Sequence, residues 1–305
     1  MRMRSPRIAV VMVTYNSAEV LGSCLASLPS DGVHLAAVVV ADNASRDESV
    51  AIAELAAADL PVRVVRMGRN AGYAAAVNAA VATLDSTELD AIFVMNPDCA
   101  LRPDTLKRLH DAVRPAGRGI AVPRMLNPDG TLQPSLRRMP TVGRALAEAV
   151  LGDLAGRIGS LGELVTDPRE YERPGPAVWA TGAAMLVSAE AARDIGPWDE
   201  SFLLYSEETE YALRAADKGW TLWYEPTAVV EHVGGESGTN PDLAALAVLN
   251  KVRLFRRRRN AVASSAYYLA VVSGEAVRAL AGRRTSRASV KALIRPSRRH
   301  HALAE

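Results

Sequence analysis

The sequence predicts an α/β protein: a Rossmann-like, mostly parallel sheet with helices on both faces, plus a C-terminal helical extension. Three observations carry this. Between residues 7 and 126, short apolar runs alternate with helical stretches, as in parallel strands joined by crossover helices. Polar turn residues stand after each of the first four runs, at the sheet edge where open α/β folds bind ligands. Beyond residue 240 the apolar spacing becomes helical and the charge becomes basic. The chain is thus expected to hold one α/β domain over 1–240 and a basic helical extension over 241–305.

Ile8 to Thr14 reads as the first strand, and 18–28 as a helix with Val20, Leu21, Cys24, Leu25 and Leu28 on one face. Leu35 to Ala41 is a continuous β run ending in Asp42-Asn43-Ala44-Ser45, with a helix from about Asp47. Val62 to Met67 is a third strand, and Arg69-Asn70-Ala71-Gly72-Tyr73 leads into an Ala-rich helix holding Asn78. Ala91-Ile92-Phe93-Val94-Met95 is the fourth. Pro97, which has no N–H to donate, stops its ladder and leaves Asp98 on a rigid turn at the strand end. A helix over 105–113, a fifth strand at 120–123 and a turn at Asn127-Pro128-Asp129-Gly130 follow. Residues 131–176 show weak periodicity and read as a long irregular excursion over the active face. Then come a strand over 177–188 interrupted at Thr181-Gly182, a helix from about Glu208, and two strands at 221–224 and 228–231. Residues 243–282 read as mostly helical, and the basic end as mobile.

Composition narrows the function. Cys24 and Cys99 are the only cysteines, and neither sits in a zinc or redox pair, which suits a reducing cytoplasm. Met1-Arg2-Met3-Arg4 is basic, but the apolar run after it is too short for a signal segment. No run of about 18 uncharged apolar residues is present, so no ordinary membrane span is expected. The net charge of +2 conceals an asymmetry: residues 251–305 carry 14 Lys/Arg against two acids, a net of +12, leaving −10 for residues 1–250. A basic tail on an acidic body points to an anionic partner. The basic run lacks interleaved aromatics, so nucleic acid is not that partner. Leu246, Leu249, Val252 and Phe255 recur at threes among Lys251, Arg253 and Arg256 to Arg259, and an apolar helix over 261–282 follows. That pattern suggests an anionic membrane surface. A helical appendage packed on the first domain or on a second subunit, in a homodimer, fits it as well.

The strand ends carry the candidate chemistry. Thr14-Tyr15-Asn16 and Asp42-Asn43 close the first two strands: either helix-start turns, or a carboxylate for the imide N–H of uracil or thymine beside a tyrosine wall. Asp47 reads as a helix-start charge. Asn70-x-Gly72 lets backbone approach an anion closely ahead of a helix N-terminus. It is neither the dinucleotide fingerprint nor a P-loop. Asp98 is a turn residue capping the helix near Asp104, or a cation ligand. Glu207-Glu208-Thr209-Glu210 is an acidic helix start, explained by the helix dipole or by a general base. His232 ends the last short strand and reads as structural or as a metal ligand.

Taken in order, these pieces resemble the family 2 inverting glycosyltransferases of GT-A fold, over about residues 7–240. The matching segments are Val13-Thr14-Tyr15-Asn16, Asp42-Asn43-Ala44-Ser45, Arg69 to Asn78, Asn96-Pro97-Asp98, Trp179 to Leu186, Trp198-Asp199-Glu200-Ser201-Phe202, Glu207-Glu208, and 231–237 (Glu-His-Val-Gly-Gly-Glu-Ser). Asn96-Pro97-Asp98 in place of Asp-x-Asp, with Asn127-Pro128-Asp129-Gly130-Thr131 and then Pro134-Ser135-x-Arg137, is most similar to the rhamnosyltransferase branch. Its actinobacterial members add L-rhamnose to N-acetylglucosaminyl-diphospho-polyprenol in cell-wall synthesis.

The resemblance implies a nucleotide-sugar donor, dTDP-L-rhamnose or a UDP-sugar, and a polyprenyl-diphosphate glycolipid acceptor at the cytoplasmic face of the plasma membrane. It implies Mg²⁺ or Mn²⁺ held on the diphosphate by Asp98 and His232. Thr14, Tyr15, Asn16, Asp42, Asn43, Asn70, Gly72, Asn78 and Asn96 would line the nucleotide. Trp179, Gly182, Trp198 and Asp199 would shape the acceptor pocket. The base is expected at Glu208 or Glu207, since this chain has Glu-Glu where the family usually has Glu-Asp. A galactofuranosyl- or other hexosyltransferase, or a nucleotide-sugar-binding homologue without turnover, is the alternative.

Overall fold

The computed structural model describes residues 4–29, 32–234 and 239–295. Met1-Arg2-Met3, the Gly235-Glu236-Ser237 end of the last motif, and the basic residues beyond 295 lie outside them. The chain forms two compact units, one of residues 1–135, 171–203 and 207–233, the other of 136–170, 204–206 and 234–305.

In the first unit the parallel half follows the expected order. β1 (Arg7–Thr14), α1 (Ala18–Ala26), β2 (His34–Asp42), α2 (Ser49–Leu55), β3 (Val62–Arg66), α3 (Tyr73–Val81) and β4 (Ala91–Met95) alternate, and β3-β2-β1-β4 are neighbours in parallel. Apolar runs without alternation make these strands because both sheet faces are covered. Ile8, Val10, Met12, Val38, Val40, Phe93 and Met95 share one buried core.

Beyond β4 the sheet becomes mixed. β5 (Cys99–Leu101), α4 (Thr105–Val113), β6 (Arg118–Leu126), β8 (Gly175–Ala177), β9 (Trp179–Ala180), β10 (Ala184–Ser188), α6 (Ala189–Ile195), α7 (Glu207–Asp217) and β11 (Thr221–His232) complete the unit. β10 enters antiparallel between β4 and β6, whereas β6 and β11 are parallel. The two strands expected at 221–231 are one, with a register shift between Glu225 and Val229 at Pro226. Pro226 has no N–H for the ladder, so it breaks the apolar pattern without ending the strand.

Gly72 is held by close approach. Its φ of +91° and ψ of 170° belong to a region open essentially to glycine. A Cβ there would lie 2.5 Å from the Leu203 carbonyl oxygen, which accepts the Tyr73 N–H at 2.8 Å. Gly72→Ala is therefore expected to cost about 2–4 kcal/mol, from backbone strain plus a clash that no rotamer relieves. The shift in urea midpoint measures it.

The second unit replaces the irregular excursion expected at 131–176. It holds β7 (Leu136–Arg137), α5 (Val142–Leu151), and then α8 (Pro241–Arg258), α9 (Ala261–Leu280) and α10 (Arg284–Ile294). Thr141 caps α5, its side chain accepting the Arg144 N–H. The helix escapes periodicity analysis because its large apolar residues Leu146 and Val150 are exposed while small Ala145 is buried. Asn240 and Asn260 cap α8 and α9, and Pro241 suits the first turn of α8. Ala145, Val252, Phe255, Tyr267, Ala270 and Leu293 form the core, with the Phe255 and Tyr267 rings stacked 3.8 Å apart. The apolar stripe of α8 is thus spent on packing, and Lys251 lies 2.8 Å from Glu163 and 3.4 Å from Glu148. Residues 284–294, expected to be mobile, are helical and contribute Leu293 to that core. No helix among the described residues is long and apolar enough to cross a membrane.

Candidate active site

Asp98 comes first. β5 lies between it and α4, and Asp104 itself precedes that helix, so Asp98 does not cap α4. β5 instead pairs antiparallel with the end of β11, setting Cys99 opposite His232, and the Val233 N–H donates to the Asp98 carbonyl at 3.1 Å. This pairing brings His232 Nε2 within 3.4 Å of Asp98 Oδ2, across 134 residues of chain.

Gln133 decides which nitrogen of His232 faces Asp98. The Gln133 Nε2 donates to Asn127 Oδ1 at 2.9 Å and to the His232 carbonyl at 3.3 Å, so its Oε1 is left as the acceptor 2.7 Å from His232 Nδ1. A proton on Nδ1 satisfies that contact and leaves the Nε2 lone pair toward Asp98. An oxygen and an imidazole nitrogen on one side suit Mg²⁺ or Mn²⁺. Cys99 completes a group of three within 4.8 Å. Its thiol, however, donates to the Ala183 carbonyl at 3.3 Å, and burial, then the Asp98 charge, push its pKa well up. A protonated thiol is a poor ligand for a hard cation, which leaves Asp98 and His232 as the candidate donors.

The acidic pair lies on α7. Glu210 is held by Arg214 at 2.9 Å and belongs to the scaffold. Glu207 is buried, and Glu208 is partly exposed. Gly182 is small for a reason: a Cβ there would sit 2.9 Å from Glu208 Cβ. Tyr73 stands at the start of α3. Its buried hydroxyl finds no hydrogen-bond partner among the described residues. Burial first, then the charge of Glu207, with Glu208 and Asp98 adding, pushes its pKa well above the usual phenol range. That hydroxyl therefore lies in the field of both the acidic pair and Asp98.

The remaining strand-end residues divide into two groups. Asp42 is buried, its Oδ1 accepting from the Thr14 hydroxyl at 3.2 Å and its Oδ2 from the Ser45 N–H at 3.1 Å. These two contacts leave carboxylate lone pairs for a base. Tyr15 is exposed beside it, and Asn16, at φ +52°, accepts the Arg46 N–H. Asp47 accepts the Ser49 N–H at the start of α2, the helix-start role expected of it, and also the Ala18 N–H at the start of α1. Asn70 Oδ1 accepts the Gly72 N–H, and Asn96 donates its backbone N–H to the Ala183 carbonyl.

Three of the expected ligands have partners within the protein. Asn43 is buried, donating to the Gly72 carbonyl and accepting the Ala71 N–H, so it shapes the 70–72 loop from behind. Asn78 donates to the Trp198 carbonyl and to Glu200, and accepts the Trp198 N–H, all at 2.9 Å. Its amide is committed to the 198–200 loop and has no donor left for a nucleotide. Trp198 is stacked on Tyr211 at 4.6 Å and edge-on to Tyr73, which makes it a buried support for the site. Trp179 is likewise buried, and Asp199 accepts the Ser201 N–H.

Comparison with known proteins now assigns the family. The family profile "Glycosyl transferase family 2" matches residues 9–156. The chain is 32% identical over 248 residues to the N-acetylglucosaminyl-diphospho-decaprenol L-rhamnosyltransferase of Mycobacterium tuberculosis, spanning 77% of this chain and 78% of that one. The chain belongs to glycosyltransferase family 2. This glycosyltransferase is also 25% identical over 209 residues to the low-salt glycan biosynthesis hexosyltransferase Agl10 of Haloferax volcanii, covering 68% of this chain and 61% of that one. Among solved structures, the mannosyltransferase PcManGT from Pyrobaculum calidifontis, in complex with GDP-Man and Mn²⁺, superposes with a TM-score of 0.59. It is 18% identical and covers 97% of this chain and 83% of its own. The glycosyltransferase thus has the GT-A fold implied by its strand-end motifs. Two site residues escaped sequence reasoning, Tyr73 and Gln133. Both lie inside motif segments, at 69–78 and 127–137, but their significance depends on neighbours far away in the chain.

Proposed function

We propose that this enzyme transfers L-rhamnose from dTDP-L-rhamnose, with inversion, to N-acetylglucosaminyl-diphospho-polyprenol, as a peripheral protein at the cytoplasmic face of the plasma membrane. The observation that carries the reading is the pairing of Asp98 with His232, 3.4 Å apart where β5 meets the end of β11. The name of the mycobacterial relative supports the donor and acceptor classes.

Asp98 and His232 would hold Mg²⁺ or Mn²⁺ on the donor diphosphate. A bound cation supplies neutralisation of the charge that grows on the leaving group. Glu208 takes the proton from the acceptor hydroxyl, which attacks the anomeric carbon from the face opposite the diphosphate in one displacement. Asp42 accepts the imide N–H of the base, and the loop around Asn70 and Gly72 lies along the nucleotide. Gly182 gives Glu208 its position. Gly182→Ala is expected to lower kcat by roughly 10-fold to 10²-fold, because a methyl at 2.9 Å must displace the Glu208 stem. Steady-state kinetics beside a thermal melt separates this from unfolding, since a flexible side chain can absorb the clash.

Transfer and hydrolysis measured with dTDP-L-rhamnose and with UDP-galactofuranose, each with Mn²⁺ and then with EDTA, test the proposal. Metal-dependent transfer from dTDP-L-rhamnose to the lipid acceptor is expected. Preference for UDP-galactofuranose makes the enzyme a hexosyltransferase of other specificity. Absence of both transfer and hydrolysis makes it a binding homologue.

A further inference from the structure

Exposed apolar side chains are concentrated in the second unit. Among the described residues it carries ten of the fourteen large hydrophobics that are exposed, although it is the smaller unit. They are not scattered. From Val262 on, the exposed positions of α9 are Val262, Ser265, Leu269, Ser273, Val277 and Leu280, at helical steps of three and four. Leu269 is 62% exposed and Leu280 88%. None of the six is charged. The two charged residues of α9, Glu275 and Arg278, pair with each other at 2.7 Å, and Arg278 also donates to the Glu148 carbonyl of α5.

α5 shows the same pattern. Its exposed Leu146 and Val150 stand four apart, while Arg144 donates to the Met139 and Ser160 carbonyls and Glu148 meets Lys251. The two helices pack directly, with Gly274 so close that a Cβ on it would lie 3.0 Å from Ala149 Cα. A water-facing helix carries charges outward and apolar residues inward. Here both helices carry large apolar residues outward as well as inward, and keep their charged groups paired within the unit. The ends of the α9 stripe are basic, with Arg256 to Arg259 before it and Arg283, Arg284 and Arg287 after it.

We propose that the exposed face of α9, with Leu146 and Val150 of α5, is the surface by which the enzyme lies on an anionic bilayer. A face of Val, Leu and Ser about 30 Å long enters the headgroup–acyl boundary. The arginine clusters at its ends meet anionic headgroups. Charge complementarity selects this occupant, since the second unit is the basic one. No described helix is apolar enough to span, so the helix lies in the interface plane. The α8 stripe and Lys251, which the sequence offers for this purpose, face inward instead.

This deepens the membrane-associated reading above, and its test needs no sugar transfer, so either can fail alone. The full chain is sedimented with vesicles of phosphatidylcholine and of phosphatidylcholine with phosphatidylglycerol. Strong binding to the anionic vesicles and weak binding to the neutral ones is expected, with a decrease as salt rises. The double variant Leu269→Glu/Val277→Glu is expected to lose at least 10-fold in partitioning. Leu55→Glu, at an exposed apolar site on α2, should bind like the unaltered chain. Because all three positions are exposed, circular dichroism should be unchanged. Equal binding of the double variant and the unaltered chain, or no binding of the unaltered chain to anionic vesicles, overturns the proposal. So does a dimer in solution that Leu269→Glu/Val277→Glu dissociates without changing vesicle binding.

Discussion

Asp98→Ala is expected to reduce turnover by at least about 10³-fold while leaving the fold intact. Neutralising the charge on a departing diphosphate is worth several kcal/mol, and each 1.36 kcal/mol is a decade in rate. Asn96 is neutral, so no second carboxylate at this strand end takes over. The backbone around Asp98 is held independently of its side chain: its carbonyl accepts from the Val233 N–H, and Asn96 donates to Ala183. Mn²⁺ binding followed by electron paramagnetic resonance should weaken in parallel, and a thermal melt should stay near that of the unaltered enzyme. A fully active Asp98→Ala variant would remove the basis for a cation at this site.

The second large effect concerns the base. Glu208→Gln keeps the size of the side chain and removes its ability to take a proton, so kcat should fall by roughly 10²–10⁴-fold with donor KM little changed. Glu208 is preferred because a base must reach the acceptor hydroxyl. It is partly exposed, whereas Glu207 is 4% exposed. Glu207→Gln should act mainly through the packing and electrostatics around Tyr73 and shift stability more than chemistry. Near-normal turnover in Glu208→Gln with collapse in Glu207→Gln would reverse the assignment.

The sequence by itself determined the parallel half of the sheet. Strands buried on both faces read as unbroken apolar runs, and polar turns after Thr14, Asp42, Arg66 and Met95 mark one edge. The ordered motifs determined the family and the GT-A fold. Tertiary structure decided what depends on partners far away in the chain. β10 runs antiparallel in the middle of the sheet, which its own apolar residues do not encode. His232 is a candidate ligand because β5 and β11 pair, and its free nitrogen faces Asp98 because Gln133 occupies the other. Asn78 and Trp198, legible as polar and aromatic site residues, are committed to each other. The basic extension shows the same limit most plainly. Periodicity finds an apolar stripe on a helix, but whether that stripe meets a core or a membrane depends on what packs against it. The stripe of α8 meets a core, and that of α9 remains outside.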